Sequence, residues 1–287
     1  MGTLFLVATP IGNLEDISYR ALKTLREVEL IAAEDTRQTA KLLTHYGIHT
    51  PSVSYYEYNK LSKIDHILQV LKISDVALVS DAGSPALNDP GYELVSACLE
   101  AGYQVSPVPG PSAPTAALIA SGLPTDTFLY LGYLPRKSNL RKISLENVHR
   151  HPYTLIFLET PHRLLSALSD IRAVLGDRKI AIARELTKLH EEIFRGNLSQ
   201  AIQYFTDHTP RGEFTLVVAG MKEDPQKWEH EQLCEAIRSA LQNDLPPAKI
   251  AQQISSQSGW RRRQVYKLIT EIQENVTEGN KKYNDEP

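Results

Sequence analysis

The sequence predicts an α/β protein of two lobes followed by an all-helical tail. Three observations carry that prediction. Short, uncharged apolar runs alternate with amphipathic stretches over the first 120 residues; the alternation resumes near Phe128; and from Pro225 onward only helix-period patterns remain. Strand–helix alternation of this kind is the pattern of a parallel sheet with helices on both faces.

The first strand is expected at Leu4–Ala8, compact and uncharged as a doubly buried strand should be. The turn Thr9–Asn13 leads to a helix whose face carries Ala21, Leu22, Leu25 and Val28, with Asp16 or Ser18 available as its cap. The pattern then repeats: strand 30–33, a helix from Thr36, a helix near 60–73, strand 76–79, helix 91–101, strand 105–108 and an Ala-rich helix after Pro114. Gly122 and Pro124 punctuate a hinge, dividing a first lobe, 1–122, from a second, 123–225. In the second lobe strands are expected at 128–131, 154–158, 180–183 and 214–218, with helices around 163–175 and 198–205. The tail, 226–287, carries three apolar faces: Leu233, Ala236, Ile237 and Leu241; Ile250, Ala251 and Ile254; Val265, Leu268, Ile269 and Ile272. From Glu278 the chain is polar and expected to fray.

A chain of 287 residues has room for two domains and an appendage, and its 42% hydrophobic and 23% charged residues are ordinary globular values. The net charge of −3 offers nucleic acid no global attraction, so such a partner would need a local patch. Cys98 and Cys234 read as bystander thiols of a reducing compartment, and no metal-ligand spacing occurs. No basic segment precedes the first apolar run, which stops at Pro10, and no apolar stretch reaches the roughly 18 residues of a membrane span. The expectation is a soluble, cytoplasmic protein with no membrane partner.

Ligands of open parallel sheets bind beyond the carboxyl ends of the strands. Four loops fall there: Thr9–Asn13, Glu34–Arg37, Ser80–Pro85 and Pro109–Ala113. Their small residues let a ligand approach the backbone. One such loop alone is more often a plain turn; four at one sheet end point to a site. Glu34, Asp35 and Asp81 share that rim, although Asp35 or Thr36 would also serve as a helix cap. No G-x-G-x-x-G follows the first strand and no Walker A motif occurs, which excludes the common dinucleotide and P-loop sites. Read from residues alone, this is an α/β enzyme with an uncommon small-ligand site.

Those loops, with Asn88–Gly91, Glu159–Arg163 and Ala183–Lys188, resemble in the same order and over nearly the whole chain the small-subunit ribosomal RNA methyltransferase I family of the tetrapyrrole-methylase-like superfamily. The resemblance implies the two-lobed fold of class III methyltransferases with a C-terminal helix–turn–helix-like domain. It also implies S-adenosylmethionine folded into the cleft between the lobes, 2′-O-methylation of a decoding-region cytidine in 16S rRNA of the 30S subunit, and a homodimer. Carried over by motif, the cofactor contacts are Pro10, Ala82, Gly83, Ser84, Leu87, Ser112, Ala113, Leu158 and Leu186. Tetrapyrrole-methylating relatives usually have a Gly-Pro-Gly-Asp type of turn after the first strand, whereas this chain has Thr9-Pro10-Ile11-Gly12-Asn13. Precorrin or uroporphyrinogen C-methylation is therefore the alternative reading.

A ribose hydroxyl is a poor nucleophile and needs help with its proton, a task for Asp81 or Glu34, while Arg37 or Arg184 would position a phosphate. In the tail, Pro246–Leu268 holds Lys249, Arg261, Arg262, Arg263 and Lys267 with no acidic residue. Pro246-Pro247 opens a helix, Ser258-Gly259-Trp260 breaks it and Arg261 leads the next, a helix–turn–helix layout suited to docking on RNA phosphates. The bland reading of these cations is a solvated helix end. A competing class, a DNA-binding regulator sensing a small ligand, would explain the tail but not the acidic loops.

Overall fold

The computed structural model describes residues 1–56, 60–221, 228–242 and 245–282. In the first lobe β1 (Thr3–Val7), β2 (Leu30–Ala33), β3 (Ser52–Ser54), β4 (Val76–Val79) and β5 (Gln104–Val108) form an all-parallel sheet in the order β3-β2-β4-β1-β5. β2 and β4 are buried at every residue, which is why they carry no polar side chain. Successive residues serve opposite faces. Ile31 and Ala33 pack with Ala21, Leu25 and Leu43 of α1 (Tyr19–Glu27) and α2 (Thr36–His45). Leu30 and Ala32 pack with Ile67, Leu71, Leu94 and Cys98 of α3 (Lys60–Leu71) and α4 (Tyr92–Glu100). Each fully buried Leu or Ile contributes about 1.5–3 kcal/mol. Of the two candidate caps for α1, Ser18 serves, accepting from the Ala21 amide at 3.1 Å.

α5 (Ala113–Ser121) follows β5 in the chain, yet Ala117 and Leu118 pack on Ile156, Ala181 and Val217 of the second sheet. A division at residue 122 thus cuts behind a helix that the second lobe holds. That second sheet comprises β6 (Phe128–Tyr133), β7 (Thr154–Glu159), β8 (Lys179–Arg184), β9 (Glu192–Asn197) and β10 (Phe214–Val218), in the order β6-β7-β10-β8-β9. Only β6 and β7 run parallel; the other neighbours are antiparallel. α6 (Ser138–Glu146), α7 (Leu164–Leu175) and α8 (Leu198–Asp207) cover the face opposite α5.

β3, β9 and α6 had no counterpart in the sequence reading. β3 is three residues long, and β9 carries charge at Glu192 and Arg195. α6 inverts the usual pattern: Leu140 and Ile143 are exposed, while Arg141 is buried against Asp170 at 2.6 Å.

Both sheets belong to one compact unit, Met1–Met221; a second unit is Lys222–Pro287. In the latter α9 (His230–Leu241), α10 (Pro247–Ser258) and α11 (Arg262–Lys282) share a core of Leu233, Ile237, Ile250, Ile254, Val265 and Ile269. Pro247 sits in the first turn of α10, and Gly259 ends it in the left-handed region at φ 68°. The Trp260 indole then donates to the Trp228 carbonyl at 2.8 Å. α11 continues to Lys282, past the Glu278 from which fraying is expected; residues 283–287 lie outside the described residues. No helix among the described residues is long and apolar enough to cross a membrane.

Candidate active site

Parallel pairing brings the loops after β1, β2, β4 and β5 to one edge of the first sheet. They are tied to one another. Thr9 and Gly83 exchange backbone hydrogen bonds of 2.9 and 3.0 Å. The Asp35 amide donates to Asp81 Oδ1 at 3.0 Å, and the Asp81 amide donates to Glu34 Oε2 at 3.3 Å. Across the interlobe gap the Asn13 amide donates to Thr187 Oγ1 at 2.9 Å. Between the lobes lies a cavity of about 250 Å3, floored by Ala82, Gly83, Ser84, Ser112 and Ala113 and walled by Tyr130, Tyr133, Leu158 and Phe214.

The loop from Ala86 to Gly91 completes that wall. Ala86 (φ 65°) and Asn88 (φ 68°) both adopt left-handed backbone, a conformation costly for non-glycine residues and sustained by surrounding contacts. Asn88 lies against Gly132, where any Cβ would collide with the Asn88 amide group. The left-handed backbone of Gly132 (φ 60°) favours glycine there, and Asp89, next after Asn88, lines the cavity.

Glu34, Asp81, Asp89 and Glu213 line this space, and among the described residues no Lys or Arg does. Burial, with Glu34 nearby, pushes the Asp89 carboxyl up to about 6. Burial likewise raises Glu34 and Asp81. Burial pushes the Tyr130 phenol up to about 12, so it is a neutral donor near pH 7. A concave, small-residue, negatively charged site suits a flexible cation. It suits a phosphate poorly.

Residues 3–202 match the family described as Tetrapyrrole (Corrin/Porphyrin) Methylases. The ribosomal RNA small subunit methyltransferase I of Synechocystis sp. is 47% identical over 276 residues, covering 95% of this chain and 99% of that protein. Its namesake from Escherichia coli O157:H7 is 44% identical over 278 residues, 95% of this chain and 96% of the other. The chain belongs to the ribosomal RNA small subunit methyltransferase I family. A further family member, from Thermotoga maritima, is 52% identical over 221 residues, which make up 99% of that protein but 77% of this chain. Among solved structures, the methyltransferase CobJ superposes with a TM-score of 0.59 at 19% identity, covering 77% of this chain and 95% of that one, a likeness of fold.

The family motifs converge unequally. Ala82, Gly83, Ser84, Leu87, Ser112, Ala113 and Leu158 all line the interlobe cavity. Leu186 lines a side chamber of about 30 Å3 that shares Ile11, Ala113, Glu213 and Thr215 with it. Pro10 faces a different cavity, beside Thr9 and α2. Glu34 and Asp81 line the interlobe cavity, but the two arginines do not. Arg37 folds back on Asp35, its Nε 3.0 Å from Oδ1 and its Nη2 2.7 Å from Oδ2, and those bonds hold the Asp35 carboxyl down to about 2. Asp35 thereby caps α2, accepting from the Arg37 amide at 2.8 Å. Arg184 turns to Glu192 at 3.2 Å and to the Arg211 carbonyl at 2.8 Å, in a separate depression with His190.

Asp89, Tyr130, Tyr133 and Glu213 were not among the expected site residues. Asp89 stood in a recognised motif, Asn88–Gly91, to which no role was assigned. The two tyrosines are three apart, a spacing that puts residues of a regular strand on opposite faces. A register shift in β6 between Tyr130 and Gly132 brings both to the cavity.

In the second unit Lys249, Arg261, Arg262, Arg263 and Lys267 are all exposed. Lys267 has an acidic neighbour, Glu271 at 3.5 Å.

Proposed function

We propose that this chain methylates the ribose 2′-oxygen of a decoding-region cytidine in 16S rRNA, using S-adenosylmethionine, as a cytoplasmic homodimer. The observation that carries the reading is the acidic interlobe cavity, built from the family's own loops in a chain 47% identical to a ribosomal RNA small subunit methyltransferase I over 95% of its length. Bound there, S-adenosylmethionine supplies an electrophilic methyl group on a cationic sulfur. The residues present fit that group: small side chains from 82 to 84 and at 112–113 leave backbone open to a flexible ligand, and four carboxylates face its positive charges. Tyr130, Tyr133 and Leu158 would offer such a ligand an aromatic and apolar wall.

As the acceptor oxygen gains its carbon, its proton must leave, and Asp81 is the residue assigned to take it. Glu34 acts on Asp81 by accepting its amide hydrogen and fixing the loop. Burial already raises the Asp81 carboxyl toward the range in which a base works near neutral pH. Positioning of the two reactants supplies the remaining acceleration. Lys249 in the first turn of α10 and Arg261–Arg263 at the start of α11, free of acidic neighbours in sequence, dock the RNA backbone.

The test is transfer of labelled methyl from S-adenosylmethionine to 30S subunits or 16S rRNA, with mapping of the modified sugar. Asp81→Asn is expected to lower turnover by roughly 10²–10⁴-fold with cofactor affinity retained. Methylation of a precorrin or uroporphyrinogen in place of rRNA would overturn the reading.

A further inference from the structure

A second cavity, of about 280 Å3, opens at the same sheet edge and has no part in the cofactor binding proposed above. Thr9 lines it while Gly83, its backbone partner, lines the first, so the Thr9–Gly83 bridge stands in the partition between the two. Asp81 belongs to both.

The two spaces differ in chemistry. Four carboxylates face the first; the second has Asp81, which it shares, together with Gln38 and Lys41 of α2 and the apolar Pro10, Leu14 and Leu42. Lys41 is exposed, its hydrogen bond goes to the neutral Gln38 Oε1 at 2.8 Å, and among the described residues it forms no ion pair. Arg37, one turn earlier, is already committed to Asp35. A polyanion repelled by the first cavity would find in the second a cation, an amide able to hydrogen-bond a base edge, and apolar surface for a base face.

We propose that this second cavity receives the acceptor nucleotide, with Lys41 on its phosphate, Gln38 on its base and the reacting hydroxyl at Asp81 on the common wall. The proposal rests on the reading of the chain as an RNA ribose methyltransferase and adds where the RNA enters and which residues choose it. A nucleotide drawn out of its stack into a protein pocket is how single-stranded RNA is commonly read. Pro10 thereby serves the acceptor side of the wall.

The experiment uses the full chain, 30S subunits as acceptor and labelled S-adenosylmethionine. Lys41→Ala is expected to raise KM for the RNA about tenfold and to flatten the dependence of log affinity on log salt by about 0.7–0.9, the share of one neutralised phosphate. Gln38→Trp, at an exposed helix position, fills the cavity and is expected to lower kcat/KM for the RNA about 100-fold. Both variants keep wild-type affinity for S-adenosylmethionine by calorimetry. Wild-type KM in both variants would overturn the proposal, and so would a matching loss of cofactor affinity, which would assign the cavity to the cofactor. If the unmodified chain transfers no methyl to rRNA, the functional reading itself fails and the proposal falls with it; the wild-type lane separates these outcomes.

Discussion

Asp89 gives the cleft a charge that changes with pH. Because burial and Glu34 raise its carboxyl to about 6, it is half-protonated in mildly acidic solution, and its negative charge is complete only above neutrality. The dissociation constant of S-adenosylmethionine is therefore expected to fall roughly five- to tenfold between pH 5 and 7.5, and Asp89→Asn to flatten that profile. Titration calorimetry across this range measures it. The stability linkage runs the other way. A carboxyl whose folded value lies above its unfolded one stabilises the fold below about pH 4 and loses that contribution as pH rises through 6. The ligand-free Asp89→Asn protein should thus resist urea better than wild type at pH 8. Asp170 is the contrasting case. Burial alone would raise it, but hydrogen bonds from Ser138 at 2.8 Å and Arg141 at 2.8 Å outweigh that and lower it. Asp170→Ala leaves Arg141 buried and unpaired, and is expected to cost about 3–5 kcal/mol in urea unfolding at pH 7. In wild type this contribution is present above the ordinary Asp value and lost as pH falls through the lowered one.

Among the elements, β6 and the Ala86–Gly91 loop act together. The register shift in β6 turns two tyrosines to the cavity, and Gly132 in the same strand makes room for Asn88. Gly132→Val is expected to displace the loop and raise the cofactor dissociation constant at least about tenfold. Because the site lies at a sheet edge, loss of the thermal transition in this variant would instead assign Gly132 to folding. At the α10–α11 turn, replacing Arg261, Arg262 and Arg263 together by Ala is expected to flatten the salt dependence of rRNA binding by about 0.7–0.9 for every phosphate these arginines neutralise. An unchanged slope in filter binding would leave these arginines as solvated surface. Helix α6 shows why patterning failed there. A buried ion pair places Arg141 where a hydrophobic residue is normally read, so the apolar periodicity points to solvent.

For the molecule as a whole, the helical unit has its own core, around Leu233, Ile250 and Val265, apart from the cores of the two sheets. The Thermotoga maritima relative aligns over 221 residues, 99% of that protein and 77% of this chain. A chain ending at Met221 is therefore expected to fold, to bind S-adenosylmethionine within about twofold of the full chain, and to need about tenfold more rRNA to saturate. Far-ultraviolet dichroism, calorimetry and methyl-transfer kinetics check the three parts. A truncated chain that precipitates would show the helices to be part of the fold rather than an RNA-docking appendage.

Much of this architecture was legible in the linear text. Uncharged runs such as Val76–Val79 mark strands buried on both faces, and small-residue loops after them mark a ligand edge, because both features follow from local periodicity and turn chemistry. The three tail helices were legible for the same reason, with Pro247 and Gly259 setting two of their ends. Convergence was not legible. Which carboxylates meet in the cleft, that α5 lies on the second sheet, that Arg184 turns away and that Asp81 lies between two cavities all depend on pairings between separate segments, such as Arg184 with Arg211, Asp35 with Asp81 and Asn13 with Thr187. Periodicity reports what each segment buries, whereas only the folded chain decides which buried faces and loop ends meet.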